Sequence, residues 1–138
     1  MANRIPTYVD ATSEKISEVP AGDFLSTEGS GIAEGHTALT GATPSVSLNT
    51  GGSFSLVLSG NTTISFTDAP ATGTSGFSLV VTQDAGGSGF TVTWPASVKW
   101  PGGAAPALTA TADKSDAFVF TTSDGGTSFV GLVAGKDI

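Results

Sequence analysis

The chain has no cysteine, one histidine, and only five Lys and Arg residues set against twelve Asp and Glu in 138 positions. Without cysteine there is no disulfide framework and no thiolate metal site, and the redox compartment cannot be read. With His36 alone, in the linker-like context "AEGHTA", neither a paired-histidine metal centre nor a site drawing on more than one imidazole can be assembled. His36 reads as a plain loop residue. Basic residues are too sparse to follow a phosphate backbone. Arg4, Lys15, Lys99, Lys114 and Lys136 stand singly in a chain of net charge −7, which argues against nucleic acid and anionic membranes as partners. Long apolar runs are also missing. None approaches the roughly 18 residues of a membrane-spanning helix, and "MANRIPTYVDATSEK" carries no apolar stretch of a secretory signal. The expectation is a soluble product. Heptads and G-x-y repeats are lacking too, so no shaft is encoded.

What the chain has is glycine (19 residues) with abundant Ser, Thr, Val and Phe, a composition suited to strands and turns. Its character changes near residue 44. The first 43 residues carry six of the acids, from Asp10 to Glu34, and spaced apolar residues without a sustained period. They read as an extended attachment arm, with a short hairpin pairing "TYV" with "KISEV", followed by the Gly/Thr-rich linker "TEGSGIAEGHTALTGATP" (27–44). Such an arm cannot offset its own ordering entropy alone, so it either docks on another surface or stays flexible. Ile5, Tyr8, Val9, Ile16, Val19 and Phe24 are the expected anchors, because spaced hydrophobes favour docking.

From residue 45 the period is two. "SFSLVLS" sets Phe54, Leu56 and Leu58 on one face, and "GFSLVVTQ" does the same for Phe77, Leu79 and Val81. "GFTVTW" aligns Phe90, Val92 and Trp94, and "DAFVFTT" aligns Phe118 and Phe120. "TTISFTD", "ALTATA" and "SFVGLV" complete a set of seven to eight short strands, with Leu108 and Phe129 facing inward. Turn signals such as "SGN" (59–61), "DAGGSG" (84–89) and "SDGGT" (123–127) separate them. The spacing predicts an all-β protein: a single antiparallel β-sandwich or jelly-roll-like domain over 44–138, preceded by the arm of 1–43.

"GFTVTWPASVKWPGG" (89–103) puts two tryptophans, each followed by a proline, into fifteen positions. Pro95 and Pro101 each end a strand, since proline cannot donate to a ladder. The stretch reads as a strand, a corner and a second short strand, with both indoles over one end of the core. Burial of an aromatic side chain, worth roughly 1.5–3 kcal/mol, is reason enough for that placement. Trp100, beside Lys99 and the "PGG" turn, is the one candidate for stacking a sugar ring. The acids of "ADKSD" (112–116) and "SDGGT" lack the D-x-D-x-D-G spacing of a calcium loop and read as solvated turns. No Gly-rich phosphate loop opens a helix. No cofactor and no enzymatic activity are expected.

The C-terminal half resembles the C-terminal segment of many bacteriophage virion proteins, tail-fibre and capsid-surface subunits among them. In that pattern a W-P-x-x-V-x-W-x-G-G-x-x-P-x-L run precedes a strand near D-G-G-T. Here those positions are Trp94, Pro95, Val98, Trp100, Gly102, Gly103, Pro106 and Leu108, then Asp124 to Thr127. "YVDATSEKISEVPAGDFL" resembles the leader phrases of such proteins, and the two similarities cover about half the chain. The resemblance implies a non-enzymatic virion protein, usually a homotrimer, attached through its N-terminal segment with its β-domain projecting outward. Arm plus knob, with no shaft, is expected to be a capsid decoration (cement) protein whose partners are itself and the major capsid protein or another virion protein. The alternative is a tail-fibre or tail-tip subunit that binds a host glycan. A small glycan-active enzyme is the third class weighed. Val130, Leu132 and Val133 of "VGLVAGKDI" exceed what one face can bury and are the expected trimer contacts.

Overall fold

Alternating inward residues do form strands. A computed structural model describes residues 35–138, and every regular element in them is extended except for one 3-10 turn. The strands are β1 (His36–Leu39), β2 (Ser45–Ser47), β3 (Ser53–Leu58), β4 (Thr62–Thr63), β5 (Ser65–Thr67), β6 (Ser75–Gln83), β7 (Val92–Thr93), β8 (Val98–Lys99), β9 (Ser115–Thr122) and β10 (Phe129–Gly135). The chain is all-β over this range, and Gly35–Ile138 forms a compact unit. Residues 36–39, expected within the linker, are its first strand, so His36 lies in a strand and not in a loop. Among the described residues no helix is long and apolar enough to cross a membrane.

Six strands make the main sheet, in the order β1-β3-β6-β9-β10-β8, and two small pairs, β2-β5 and β4-β7, accompany it. The sheet is mixed, not antiparallel throughout as the spacing predicts. β1 runs parallel to β3, β3 to β6, β2 to β5, β4 to β7 and β8 to β10, while only β6–β9 and β9–β10 are antiparallel. The cause lies in the excursions between paired strands. After β1 the chain leaves the main sheet to make β2, and after β3 it leaves to make β4 and β5. Each time it returns in its original direction, which a parallel pair requires and a two-residue hairpin cannot provide. The excursions also stack on one another. Ile64 N–H donates to Thr93 O (3.1 Å), Thr63 N–H to Ala42 O (2.8 Å) and Leu48 N–H to Thr67 O (3.0 Å). The descending strands β1, β3 and β6, with their excursions, are therefore successive rungs, closed off by the antiparallel β9–β10 hairpin.

Inward side chains of the main sheet meet those of the excursions in one core. Phe54, Leu56, Leu58, Phe77, Leu79, Phe118, Phe120 and Phe129 come from the sheet, and Val46 and Ile64 from the excursions. Aromatic edges fill its centre. Phe66 sits edge-on to Phe77, Phe120 and Phe129 with centroids 4.9–5.0 Å apart, and Phe77 stacks on Phe120 at 4.9 Å. Pairs of this geometry contribute about 0.5–1.5 kcal/mol each beyond burial.

Candidate functional site

Two places draw together the residues singled out by sequence: the tryptophan corner and the outward face of β10. Val98 is buried, Lys99 is exposed and Trp100 packs on the core, as strand alternation dictates. Trp94 and Trp100 meet at 5.3 Å, and Trp94 reaches Phe118 at 5.0 Å and Phe120 at 5.5 Å. A Cβ built on Gly131 would come within 2.8 Å of Trp100 Cζ3 and 2.9 Å of Val98 Cγ1, so the missing side chain of β10 is the seat of the indole. Pro101 begins the 3-10 turn after it. Gly102 and Gly103, at φ 78° and 84°, take the backbone through a region that L side chains rarely adopt. The pair Trp100 and Lys99 is divided: the indole turns into the core, while Lys99 pairs with outward-facing Val130.

A shallow groove of about 300 Å³ runs beside this corner, lined by Phe90, Val92, Trp94, Pro106 and Leu108 among others. A second, of about 290 Å³, is lined by Trp100, Pro101, Ala104, Pro106 and Val133. Val133 pairs with Phe118, an inward residue, whereas Val130 and Leu132 pair with outward-facing Thr121 and Val119. Of the expected trimer contacts, Val130 and Leu132 thus lie on the outer face and Val133 on the groove side.

The buried polar groups are engaged in holding loops. Gln83, 2% exposed, donates from Nε2 to Phe90 O (2.9 Å) and Thr109 O (3.1 Å) and accepts from Phe90 N–H at Oε1 (3.1 Å). Asp116 was expected in a solvated turn. It lies instead in β9, 1% exposed, and accepts from Thr109 N–H (2.6 Å), Thr109 Oγ1 (2.7 Å) and Asp137 N–H (3.0 Å), with Lys136 Nζ at 3.4 Å. Burial works against its charge, but these donors outweigh it and hold the carboxyl below the ordinary aspartate value. Both side chains grip the segment around Thr109. The expected strand "ALTATA" has no ladder; its backbone is tied by these side chains and by single backbone bonds such as Gly89 N–H to Ala110 O (2.9 Å).

Asp124, in the D-G-G-T turn, closes on itself. Its carboxylate accepts from Ser128 Oγ (2.6 Å), Ser128 N–H (2.9 Å) and Thr122 Oγ1 (2.9 Å), and the Ser128 bonds in particular lower its pKa. Asp68 is likewise lowered, by hydroxyl bonds from Ser47 (2.5 Å) and Thr67 (3.0 Å). His36 spans two hydroxyls on the outer face, with Nδ1 3.0 Å from Ser53 Oγ and Nε2 3.1 Å from Ser55 Oγ. Among the described residues no group of three His, Asp or Glu side chains is placed to hold a metal ion. The expected anchors Ile5, Tyr8, Val9, Ile16, Val19 and Phe24 lie outside the described residues.

No family model, no curated protein and no solved structure matches this chain.

Proposed function

We propose that the chain is a non-enzymatic structural protein of a bacteriophage virion: a homotrimeric decoration (cement) protein. Its β-knob is a two-layered, sandwich-like body, and its N-terminal residues dock as an arm on the major capsid protein. The observation that carries a structural reading is how the buried polar groups are used. Gln83, Asp116 and Thr122 spend their hydrogen bonds on neighbouring loops, so the polar chemistry of the interior serves to hold shape. The W-P-x-x-V-x-W-x-G-G-x-x-P-x-L resemblance supports the placement on a virion, and its two tryptophans pack, partly buried, against the core.

The mechanism is mass action. A protein that binds only the assembled lattice stabilises it by RT ln(1 + [L]/Kd) per site. Immunogold labelling of intact particles with antibody against residues 45–138 tests the placement. Gold over the head is expected, and unlabelled particles with sound antibody controls overturn the virion reading. A chain lacking residues 1–25 that still protected capsids fully would remove the arm from the mechanism.

The apolar groove beside Trp94 and Pro106 favours a second reading, a tail appendage whose groove stacks a host glycan. Gold confined to the tail, with tryptophan fluorescence changing on addition of host surface glycan, is the outcome that would favour it.

A further inference from the structure

We infer that the outer face of the six-stranded sheet is a contact surface for a second copy of this chain. The inference rests on the homotrimer reading above and assigns its interface. Alternation turns one residue in two away from the core, and on an exposed sheet face those positions are ordinarily polar. Here Val57, Val80, Val119, Val130 and Leu132 point outward, with exposures from 38% to 58%. The register makes them contiguous. One row across the sheet reads Leu132, Val119, Ser78, Ser53 and His36, and the next reads Gly135, Ala117, Val80, Ser55 and Ala38. Val57 follows beyond Ser55 on β3, and Val130 beyond Leu132 on β10.

Charge picks the occupant. The acids of the described residues, Asp68, Asp84, Asp113, Asp116, Asp124 and Asp137, all lie off this face, leaving Lys99 and His36 at its two edges. Two copies of an acidic chain repel except where they can meet without carboxylates, and this face is such a place. A basic partner would find no complementary charge on it, and an acidic one would find only Lys99, at one edge. Size agrees. Six strands about 4.8 Å apart and roughly six residues long give a face on the order of 500 Å² in projection. The relief of its side chains brings that toward the roughly 800 Å² per partner of a stable interface. Val57, Val80, Val119, Leu132 and Val130 run diagonally across these rows, and with Ser and Thr hydroxyls beside them they match the apolar centre and polar rim of such contacts.

Analytical ultracentrifugation of the full chain, from low to high micromolar, tests this with Leu132→Lys and Val119→Lys. Both positions are already exposed, so the variants should keep the wild-type circular dichroism and melting temperature. Val133→Lys, on the groove side, is the control. Concentration-dependent association is expected for wild type and V133K. In L132K and V119K the dissociation constant should rise about tenfold or more, because like charges are brought together in a desolvated contact. If either variant fails to fold, Thr121→Lys, beside Val130, replaces it. A wild type that stays monomeric throughout, or outer-face variants that associate unchanged, overturns the interface. A dimer sensitive to L132K supports the face and overturns the trimer. An associating chain absent from particles supports the face and overturns the virion reading alone.

Discussion

Replacing Gln83 by leucine removes one amide and leaves three backbone groups without their partner. In the parallel register Gln83 lies directly across from Leu58, and both are buried, so a leucine fits the same column of the core. The exchange therefore changes polarity with little change in volume. Wild-type Gln83 makes three hydrogen bonds, two to carbonyls of Phe90 and Thr109 and one from the Phe90 N–H. At a net of about 0.5–1.5 kcal/mol each, the three together are worth roughly 3 kcal/mol. Leucine recovers part of this through apolar transfer, and stranding the Phe90 N–H in the interior adds to the loss. The expected result is a destabilisation of about 2–4 kcal/mol. Urea unfolding followed by the fluorescence of Trp94 and Trp100, both packed against the core, measures it directly. The midpoint should fall with the slope unchanged. Gln83→Glu separates hydrogen bonding from shape. A carboxylate there faces two carbonyls, so its folded-state pKa is raised, and the variant should regain stability as the pH is lowered and the acid becomes a donor. A leucine variant within about 0.5 kcal/mol of wild type would refute the argument. It would mean that the Phe90 and Thr109 segments are held by something other than this side chain, and that buried polarity is no evidence of a structural role.

Asp116→Asn should cost about 2–4 kcal/mol, since one oxygen that accepts from N–H groups becomes a donor facing them. Because the folded pKa of Asp116 is lowered, its contribution is present above the unfolded value of about 3.9 and is lost as the pH falls through the folded value. The gap between wild type and D116N in urea midpoint therefore closes in acid; a gap that persists there would contradict the assigned charge. Gly131→Ala forces Trp100 off its seat and should destabilise by about 1–3 kcal/mol, with a red-shifted tryptophan emission from the folded protein. An unshifted spectrum and unchanged midpoint would show that the indole does not rest there.

Period-two alternation was enough to place Phe54, Leu56, Leu58, Phe77, Leu79, Phe118 and Phe120 inside, because the side-chain direction depends on the strand alone. Pairing direction was not legible, since alternation looks the same in parallel and antiparallel ladders, and a turn signal says that the chain bends without saying which strand it joins next. The segment 107–112 carried an alternating pattern and still makes no strand, because its partners are Gln83 and Asp116, distant side chains whose reach no local window contains. The outward valines had a readable sign. In "SLVLS", "SLVVT" and "AFVFT" the position between two inward residues is Val where Ser or Thr would be ordinary. Val133, next to Leu132, lies on the opposite side, because adjacent strand residues cannot share a face.

The order of the strands also determines when the protein can fold during its own synthesis. β6 is sandwiched between β3, made earlier, and β9, made some thirty residues later, and Phe77 reaches its stacking partner only when Phe120 has emerged. Until then the rungs β1, β3 and β6 leave the β6 edge unpaired as well, and a column of phenylalanine and leucine uncovered. Pairing so distant in sequence is slow, in the range of milliseconds to seconds for small β-domains. The nascent chain is thus most prone to aggregate in the interval before β9 and β10 leave the ribosome, and release of those two strands completes the fold.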